Sequence, residues 1–507
     1  MPTLYTSLIA RQTPKLRTLA PKQQRAPIPV ALLGKSLPAL QEVVADEHAG
    51  RFAEIVKLQE ATKSIAVIGA GLAGLCAAYE LRNRGYSVTV LEASDRPGGR
   101  TMTIPDFAKP HHMDGGAELI GSNHPLWLFY ADHFHLGFSD VLEDDESPIV
   151  IGTKPLNPSV ESKLLADMNE AFAYISARAK RIVDPYAPWT DPQASTLDQE
   201  NVHQFVMRTK WPPLCKEAVL QQLESDNGVS AKNQSLLGLL AMVKGGGMER
   251  YWVDTEVYRC KKGTQALACM FAGTLERWHS PIQYNSPVTK IEVLDKGVRL
   301  STEAKKDLPF DEIILTIPPS AWFNISDWSP IELRSFVGAP PQMGKNIKAL
   351  LAFDTRFWKR QHLGPSASLA GLVDQTWETT ESHPKPQFGM VGFSGADHAA
   401  QLSELSDQDA RTAIINALEE VYKRTSTHVR NFGFMNWPKR DWAWASYSFP
   451  NCGDIPRWGP KLSEGYAGKL HFAGEHTCYA FTGYMEGALQ SGYRLARKLV
   501  QRDDGTW

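Results

Sequence analysis

Residues 64–100 read SIAVIGAGLAGLCAAYELRNRGYSVTVLEASDRPGGR, and this stretch decides the fold. A short apolar run, Ile65 to Ile68, leads into a G-x-G-x-x-G pattern, after which the spacing predicts a helix. A second β-rich run, Ser87 to Leu91, then ends on Glu92. Strand, glycine turn, helix, strand and acid in this order indicate the first βαβ unit of a dinucleotide-binding fold.

Each glycine of the pattern has its own physical reason. Gly69 permits the tight turn after the strand, Gly71 lets the backbone approach a pyrophosphate, and Gly74 lets the helix pack closely on the strand. The helix N-terminus then offers unpaired N–H groups and a partial positive charge to the phosphates. Glu92 stands where a carboxylate accepts hydrogen bonds from a ribose diol. An unphosphorylated ribose is therefore expected, so NAD or FAD fits better than NADP.

The residues that follow Glu92 favour FAD over NAD. They read ASDRPGGR, so a second glycine pair and an arginine come to lie beside the same cofactor. NAD dehydrogenases do not usually carry this extension. The segment resembles the amine oxidase family of FAD flavoproteins, which includes monoamine oxidases, polyamine oxidases and L-amino acid oxidases. The resemblance implies that Ala93 and Arg100 contact FAD.

Size and composition set broader limits. The chain has 507 residues, 43% of them hydrophobic, so two or more domains are expected. A net charge of −2 argues against a general nucleic-acid binder. The longest apolar stretch is the glycine-rich segment already described, so no membrane span is expected. Six cysteines show no paired or zinc-type spacing, which predicts no metal site and indicates a reducing compartment.

Residues 1–63 are expected to form an N-terminal extension with one helix over Asp46 to Thr62. The L-amino acid oxidases carry a similar helix before the first strand, whereas monoamine oxidases begin almost at that strand. No acidic residue precedes Glu42, a bias typical of a transit peptide, but several prolines would break an amphipathic helix there. We expect a cytoplasmic protein, with an organellar transit segment as the open alternative.

The fold class expected from these patterns is α/β, with a discontinuous Rossmann-like FAD-binding domain. Helical spacing dominates from residue 126 to about 245, and alternating β patterns follow from 282 to 316. We assign residues 64–125, 275–330 and 460–507 to the FAD-binding domain. A substrate domain of sheet plus helices, including a helical lobe, takes residues 126–274 and 331–459.

The C-terminal stretch is the second strong signal. Residues 471–500 read HFAGEHTCYAFTGYMEGALQSGYRLARKLV, in which a buried strand ends near Glu475 and a helix starts near Gly483. Open α/β sheets bind ligands at the carboxyl ends of their strands. The match to the family's GEHT…GYMEGA segment is close, and it implies that backbone N–H groups at the helix start face the flavin. The FAD contacts implied by this and two further family segments are Gly116, Ala117, Glu118, Val288, Glu475, Gly483, Tyr484 and Met485.

Lys348 interrupts an apolar alternating strand that ends at Phe353. On period alone, the commoner outcome is a lysine that faces solvent on an edge strand, because a buried lysine is costly unless it is paired or functional. In amine oxidases, however, a lysine in a Gly-x-x-Ile-Lys strand holds a water beside flavin N5. Lys348 matches that lysine by its spacing from Gly344.

An aromatic segment, residues 436–450, contains three tryptophans within eight residues. Core packing is the default for such side chains. In the family, this segment runs along the flavin and supplies one wall of a two-ring aromatic cage, whose other wall corresponds to Tyr484. Two facing rings can orient an amine and hold its Cα–H over the flavin. We predict Trp444 as the first wall, with Trp442 as the alternative.

Two departures from the relatives bear on function. Monoamine oxidases attach FAD through the Cys of a Gly-Gly-Cys-Tyr segment, which reads Trp444-Ala445-Ser446-Tyr447 here, so FAD is expected to be non-covalent. L-amino acid oxidases bind the substrate carboxylate with an Arg at the place of Leu119. An unpaired carboxylate in a dry pocket is costly, so an amine is favoured. Glu118 has a second interpretation, contact with another amino group of the substrate.

The resemblance thus implies an FAD-dependent amine oxidase that uses O2 and needs no metal. A hydride leaves the α-carbon for FAD, the imine hydrolyses to an aldehyde and ammonia, and dioxygen becomes hydrogen peroxide. The alternative is an L-amino acid oxidase that yields a 2-oxo acid. A desaturase or porphyrinogen-type oxidase would lack counterparts of Lys348 and Tyr484, and a chromatin-binding amine oxidase domain would carry a long helical insertion. Relatives are often dimers, so a homodimer is also expected.

Overall fold

The structure is a computed structural model that describes residues 3–12, 63–141, 148–151, 154–380 and 387–504. The helix predicted over Asp46 to Thr62 lies outside these ranges. Within them, an N-terminal helix, Leu4–Gln12, packs on the helical lobe of the protein. No helix among the described residues combines the length and the apolar character needed to cross a bilayer.

A five-stranded parallel sheet is the centre of the first domain, and it confirms the expected α/β fold class. Its strands come from three remote parts of the chain, and the strand Ser64–Ile68 pairs with Ser87–Leu91 on one side and with Glu312–Leu315 on the other. The strand order across the sheet is Ile282–Gln283, Ser87–Leu91, Ser64–Ile68, Glu312–Leu315 and Leu470–Phe472.

One face of this sheet is covered by helices that share a single apolar core. The two helices at its centre follow the glycine turn and the C-terminal strand, and they pack directly against each other. The other two helices cross the boundaries expected at residues 125/126 and 274/275, and their apolar faces pack in this same core. The four helices are Leu72–Asn83, Pro125–His133, Gln265–Arg277 and Met485–Asp504.

The opposite face of the sheet meets a second layer of strands and helices, which encloses another apolar core. This layer consists of the four-stranded sheet Leu308–Phe310, Val298–Thr302, Val288–Val293 and Asp327–Ser329, with the helices Ile331–Val337 and Asp454–Glu464.

A second five-stranded sheet, which is antiparallel, has Lys348 in its middle strand. The strand Asn346–Phe353 is buried along its whole length and lies between two partners, so Lys348 is not on an edge strand. The order is Ala367–Ser368, Gln375–Glu378, Phe388–Gly395, Asn346–Phe353 and Val429–Asn436, with Ala396–Ser403, Asp407–Val421 and Thr425–His428 as the accompanying helices.

The helical lobe forms a separate apolar core beside that sheet. Its helices are Pro158–Ala179, Ala194–Gln199, Val202–Arg208, Pro213–Asn227, Leu236–Gly245 and Tyr251–Asp254. The remaining described strands form short ladders. Thr103–Ala108 pairs with His111–Asp114, and Val150–Ile151 pairs with Lys154–Pro155. Tyr258–Cys260 lies between Leu119–Ile120 and Phe138–Asp140.

Gly74 makes the closest contact between the first helix and the sheet, so its substitution tests the packing. An added Cβ would lie 2.1 Å from the Gly69 carbonyl oxygen and 2.7 Å from Thr316 Oγ1. Because neither group can move freely, we expect Gly74→Ala to lower the free energy of unfolding by about 3 kcal/mol. Denaturant titration followed by circular dichroism measures the loss.

Gly71→Ala is the matched control. A Cβ there would meet nothing within 4 Å, and the backbone φ of −75° suits any residue. With both proteins free of FAD, its free energy of unfolding should stay within about 0.5 kcal/mol of the parent protein. Equal losses in the two variants would contradict the packing argument.

Candidate active site

A cavity of about 750 Å³ runs between the two domains, from the glycine turn to the buried face of the antiparallel sheet. Segments that are remote in sequence meet along it. The predicted residues that line it are Gly69, Gly71, Glu92, Ala93, Arg100, Gly116, Ala117, Glu118, Val288, Lys348, Trp442, Glu475, Gly483, Tyr484 and Met485. Gly74 and Trp444 are the two predicted site residues outside this lining.

The nucleotide end of the cavity is built by the glycine turn and Glu92. Gly69 has φ +108°, a conformation that glycine tolerates best, and the open space beside Gly71 leaves its backbone accessible. The Glu92 carboxylate accepts hydrogen bonds from the Ala70 N–H at 2.6 Å and the Ser94 N–H at 2.9 Å. These bonds fix the acid beside the turn, so the residues present fit the ribose and pyrophosphate of a dinucleotide.

Arg96, which lines the cavity, also braces the loop of the second glycine pair. Its guanidinium donates to the carbonyl oxygens of Gly99 at 2.9 Å and Thr101 at 3.0 Å. The loop that carries Gly98 and Gly99 is therefore held from behind while its front lines the cavity.

An ion pair joins the two halves of the site in its middle. Arg100 Nη1 donates to Glu475 Oε1 at 2.7 Å and to the Ser446 carbonyl oxygen at 2.7 Å. Glu475 also accepts from the Ser448 hydroxyl and from the Gly483 N–H. Burial opposes ionisation of Glu475, but the charge of Arg100 and the Ser448 hydrogen bond outweigh it and hold the pKa below its usual value.

A buried charge cluster forms one wall of the cavity. Lys348 Nζ lies 2.6 Å from Glu118 Oε2 and donates to the Gly116 carbonyl oxygen at 3.1 Å. Arg259 Nε lies 2.6 Å from the other oxygen, Glu118 Oε1, and the Trp377 indole N–H donates to the same carboxylate. Burial raises the pKa of Glu118, yet the two cations overcome it and lower the pKa to about 2.

Aromatic rings and carboxylates form the far end of the cavity. Tyr447 and Tyr484 both line it, together with Asp226 and Glu256. Tyr447 Oη donates to the Asp226 carbonyl oxygen at 2.7 Å, and its ring is so close to Gly483 that an added Cβ would lie 3.2 Å away. Burial, and after it the negative charge of Glu256, raises the pKa of Asp226 to about 7.

The chain matches the family model of the flavin-containing amine oxidoreductases over residues 72–500. It belongs to this family.

Curated relatives and solved structures agree with the family. The chain is 24% identical over 464 residues to a probable flavin-containing monoamine oxidase A of Dictyostelium discoideum, covering 86% of this chain and 97% of that protein. It is 24% identical over 458 residues to amine oxidase B of Bos taurus, with 86% of each chain covered. Wild-type putrescine oxidase bound to putrescine, and cyclohexylamine oxidase from Brevibacterium oxydans, both superpose with a TM-score of 0.76 at 21% identity. Each covers 87% of this chain and 99% of the other.

These findings confirm the amine oxidase resemblance and establish an FAD-dependent enzyme. In this amine oxidoreductase, the backbone of Gly71, the fixed carboxylate of Glu92 and the Arg100–Glu475 pair are the groups that would hold FAD. No group of His, Cys, Asp and Glu among the described residues could hold a metal ion.

The structure does not place Trp444 where the sequence predicts it. Its backbone and that of Trp442 both adopt left-handed φ angles, 54° and 65°, and the Trp444 ring packs against Phe323 with centroids 5.8 Å apart. Trp442 does line the cavity, with 38% of its surface exposed. The ring at the far end, in the same segment, is Tyr447.

The second interpretation of Glu118 also requires correction. Both carboxylate oxygens are already engaged by Lys348, Arg259 and Trp377, so Glu118 does not offer a free acceptor to a substrate amino group. Two other acidic residues, Asp226 and Glu256, line the far end of the cavity.

Several residues of the site are absent from the sequence predictions. The sequence did contain a signal for Tyr447, because this tyrosine is the last residue of the segment that corresponds to the family's Gly-Gly-Cys-Tyr. The other four carry no local signal, because each sits in an ordinary helix, strand or loop and meets the cavity or its charge cluster only through the tertiary fold. They are Asp226, Glu256, Arg259 and Trp377.

Removing the charge of Glu475 tests the junction between the two halves. Arg100 would be left without its anion, so Glu475→Gln should lower the free energy of unfolding by about 3 kcal/mol. It should also weaken FAD binding by about tenfold or more, since the junction holds three segments of the cofactor site. Titration of the FAD-free protein with FAD, followed by flavin fluorescence, measures the affinity.

Glu378→Gln is the matched control for this variant. Glu378 is a buried carboxylate that pairs with Arg356 at 2.6 Å and does not line the cavity. We expect a comparable loss of stability with unchanged FAD affinity. Wild-type affinity in Glu475→Gln would contradict the assigned role of the junction.

Proposed function

We propose that this enzyme oxidises a primary amine at its C–N bond, releasing an imine that hydrolyses to an aldehyde and ammonia. When bound, FAD accepts a hydride equivalent from the amine carbon and passes two electrons to dioxygen, which leaves as hydrogen peroxide. We also infer that FAD is held without a covalent bond, because no cysteine is among the described residues that line the cavity.

The observation that carries the proposal is the charge of the far end of the cavity. Asp226 and Glu256 present carboxylates beside the rings of Tyr447 and Tyr484. Carboxylates and aromatic faces both attract an amine that carries positive charge on the way in. The same carboxylates repel a substrate carboxylate, which would also have to be desolvated on entry.

The arginines along the cavity support an amine over an amino acid. Arg100 is paired with Glu475, and Arg96 donates to backbone carbonyl oxygens. Arg440 stacks over Trp437, with 5.4 Å from its guanidinium carbon to the ring centroid. Each already has a protein partner, and none belongs to the acidic end, so the bidentate clamp on which carboxylate recognition depends is not supplied there.

Tyr447 and Tyr484 are the two walls that we assign to the substrate. Tyr484 Oη lies 3.5 Å from Tyr251 Oη, and the His124 ring packs 5.5 Å from the Tyr484 ring, so this wall is held from behind. The hydrogen bond of Tyr447 to the Asp226 backbone fixes the other ring. Fixed rings hold the reacting C–H bond in one orientation, which lowers the entropic part of the barrier.

Reduction of the bound flavin without oxygen tests the proposed function. We expect bleaching of the visible flavin absorbance by an amine such as 2-phenylethylamine, cyclohexylamine or putrescine. The amino acid counterparts, L-phenylalanine and L-ornithine, should reduce it at least about a hundredfold more slowly, because their carboxylate meets the acidic end. Peroxide release in air should follow the same order. Faster reduction by the amino acids would establish the alternative, an L-amino acid oxidase.

A pair of substitutions tests which ring forms the wall. Tyr447→Leu removes a ring that lines the cavity, so kcat/KM for the best amine should fall by about tenfold to a hundredfold. Trp444→Leu is the control: its ring lies outside the lining, so kcat/KM should change by less than about twofold. The reverse pattern would restore Trp444 as the wall and remove Tyr447.

A further inference from the structure

Glu118 has an unusual environment for a residue beside a cofactor. It lies between two buried cations, with Lys348 on one carboxylate oxygen and Arg259 on the other, each at 2.6 Å. The exposed fractions of Glu118, Lys348 and Arg259 are only 5%, 4% and 7%. Of the two cations, only Lys348 lines the cavity.

The cluster offsets the cost of desolvation that burial imposes on the Lys348 ammonium. A lysine buried among apolar groups tends to lose its proton, because desolvation disfavours the charged form. An adjacent carboxylate restores the ammonium, but a single pair would carry no net charge. With Arg259 as the second cation, the three side chains together carry one positive charge, which Lys348 presents to the cavity.

We propose that Glu118 is a positioning residue that holds the Lys348 amino group at the cavity wall as an ammonium. Arg259 and the Trp377 indole N–H fix the carboxylate, and the Gly116 carbonyl oxygen accepts a second hydrogen bond from Lys348. The Lys348 ammonium also lies 5.7 Å from the centroid of the Trp377 ring. This inference rests on the proposed function, since it gives the fixed charge a task in oxidase turnover.

That task is the half-reaction with oxygen. In that half-reaction, reduced FAD would supply two electrons and one proton, and solvent a second proton, so that dioxygen becomes hydrogen peroxide. Negative charge develops on oxygen before the protons arrive, and a fixed ammonium stabilises it without reorganisation. Lys348 can serve this way only while it is protonated, and Glu118 secures that state.

Two further titratable groups lie near the cluster. Burial raises the pKa of Asp114 to about 7, an effect opposed by the Thr103 hydrogen bond and reinforced by the charge of Glu118. Burial lowers the pKa of His112, against the attraction of Glu118. All variants in the comparison therefore retain Asp114 and His112.

The test uses light rather than substrate to reduce the flavin. FAD-loaded wild type, Glu118→Gln, Lys348→Met and the double variant are photoreduced without oxygen and then mixed with dioxygen in a stopped-flow instrument. Glu118→Gln should slow reoxidation by about tenfold or more at pH 8, since Lys348 loses the carboxylate that stabilises its ammonium. In the Lys348→Met background, the same change should alter the rate by less than about twofold, because Glu118 acts through Lys348. Additive losses would overturn the proposal.

A second readout does not depend on turnover. Competitive acetylation with acetic anhydride, mapped by mass spectrometry, reports the pH at which Lys348 becomes a neutral amine. Glu118→Gln should shift this midpoint down by about one pH unit or more. Glu378→Gln, which disturbs the buried pair with Arg356 instead, should leave it in place. An unchanged midpoint in Glu118→Gln would overturn the proposal.

Two safeguards keep the outcome clear. If Glu118→Gln does not retain FAD, Glu118→Asp replaces it, because aspartate keeps the charge on a shorter side chain. This variant should shift the acetylation midpoint of Lys348 in the same direction by a smaller amount. No shift would count against the proposal. Because light supplies the electrons, a protein that oxidises no amine can still show the Glu118 effect. That result would contradict the proposed function and leave this inference standing. Conversely, amine turnover together with an unchanged acetylation midpoint of Lys348 in Glu118→Gln would contradict this inference alone.

Discussion

The ion pair between Arg100 and Glu475 is the contact on which the site depends. Its members are 375 positions apart, and each also binds the segment that carries Ser446 and Ser448. Closing so long a loop costs entropy, and the paired strands of the parallel sheet help to offset that cost. The cavity therefore exists only in the folded chain, and cofactor binding must be coupled to the stability of that sheet.

Features that depend on short-range geometry could be read from the sequence. The turn at Gly69, the strand before it and the helix from Met485 need only a local pattern, and the structure has them where the pattern predicts. Lys348 is different, because periodicity alone favoured an edge strand. Only the resemblance to the family indicated an interior strand for Lys348. The strand Asn346–Phe353 is paired on both sides, which confirms that it is an interior strand.

Features that depend on tertiary packing could not be read in the same way. The choice between Trp444 and Tyr447 turns on left-handed backbone angles within one loop, which no periodicity encodes. From the sequence, the helices Pro125–His133 and Gln265–Arg277 are expected to belong to the helical lobe. In the structure, their apolar faces pack in the core of the parallel sheet instead. Asp226 reaches the cavity from the end of an ordinary helix, so nothing local distinguishes its carboxylate from a solvated one.

The distribution of charge along the cavity is itself an argument for selection by function. Buried ion clusters seldom add stability, and well-packed apolar side chains in place of Glu118, Lys348 and Arg259 would serve the fold as well or better. The chain nevertheless keeps a cation on the wall and acidic residues at the far end, a polarity that would orient the amine of the proposed function by its charge. A purely structural cluster has no reason to present its lysine to the cavity while it hides its arginine behind the carboxylate. The asymmetry of this cluster therefore points to a charge that is kept for chemistry.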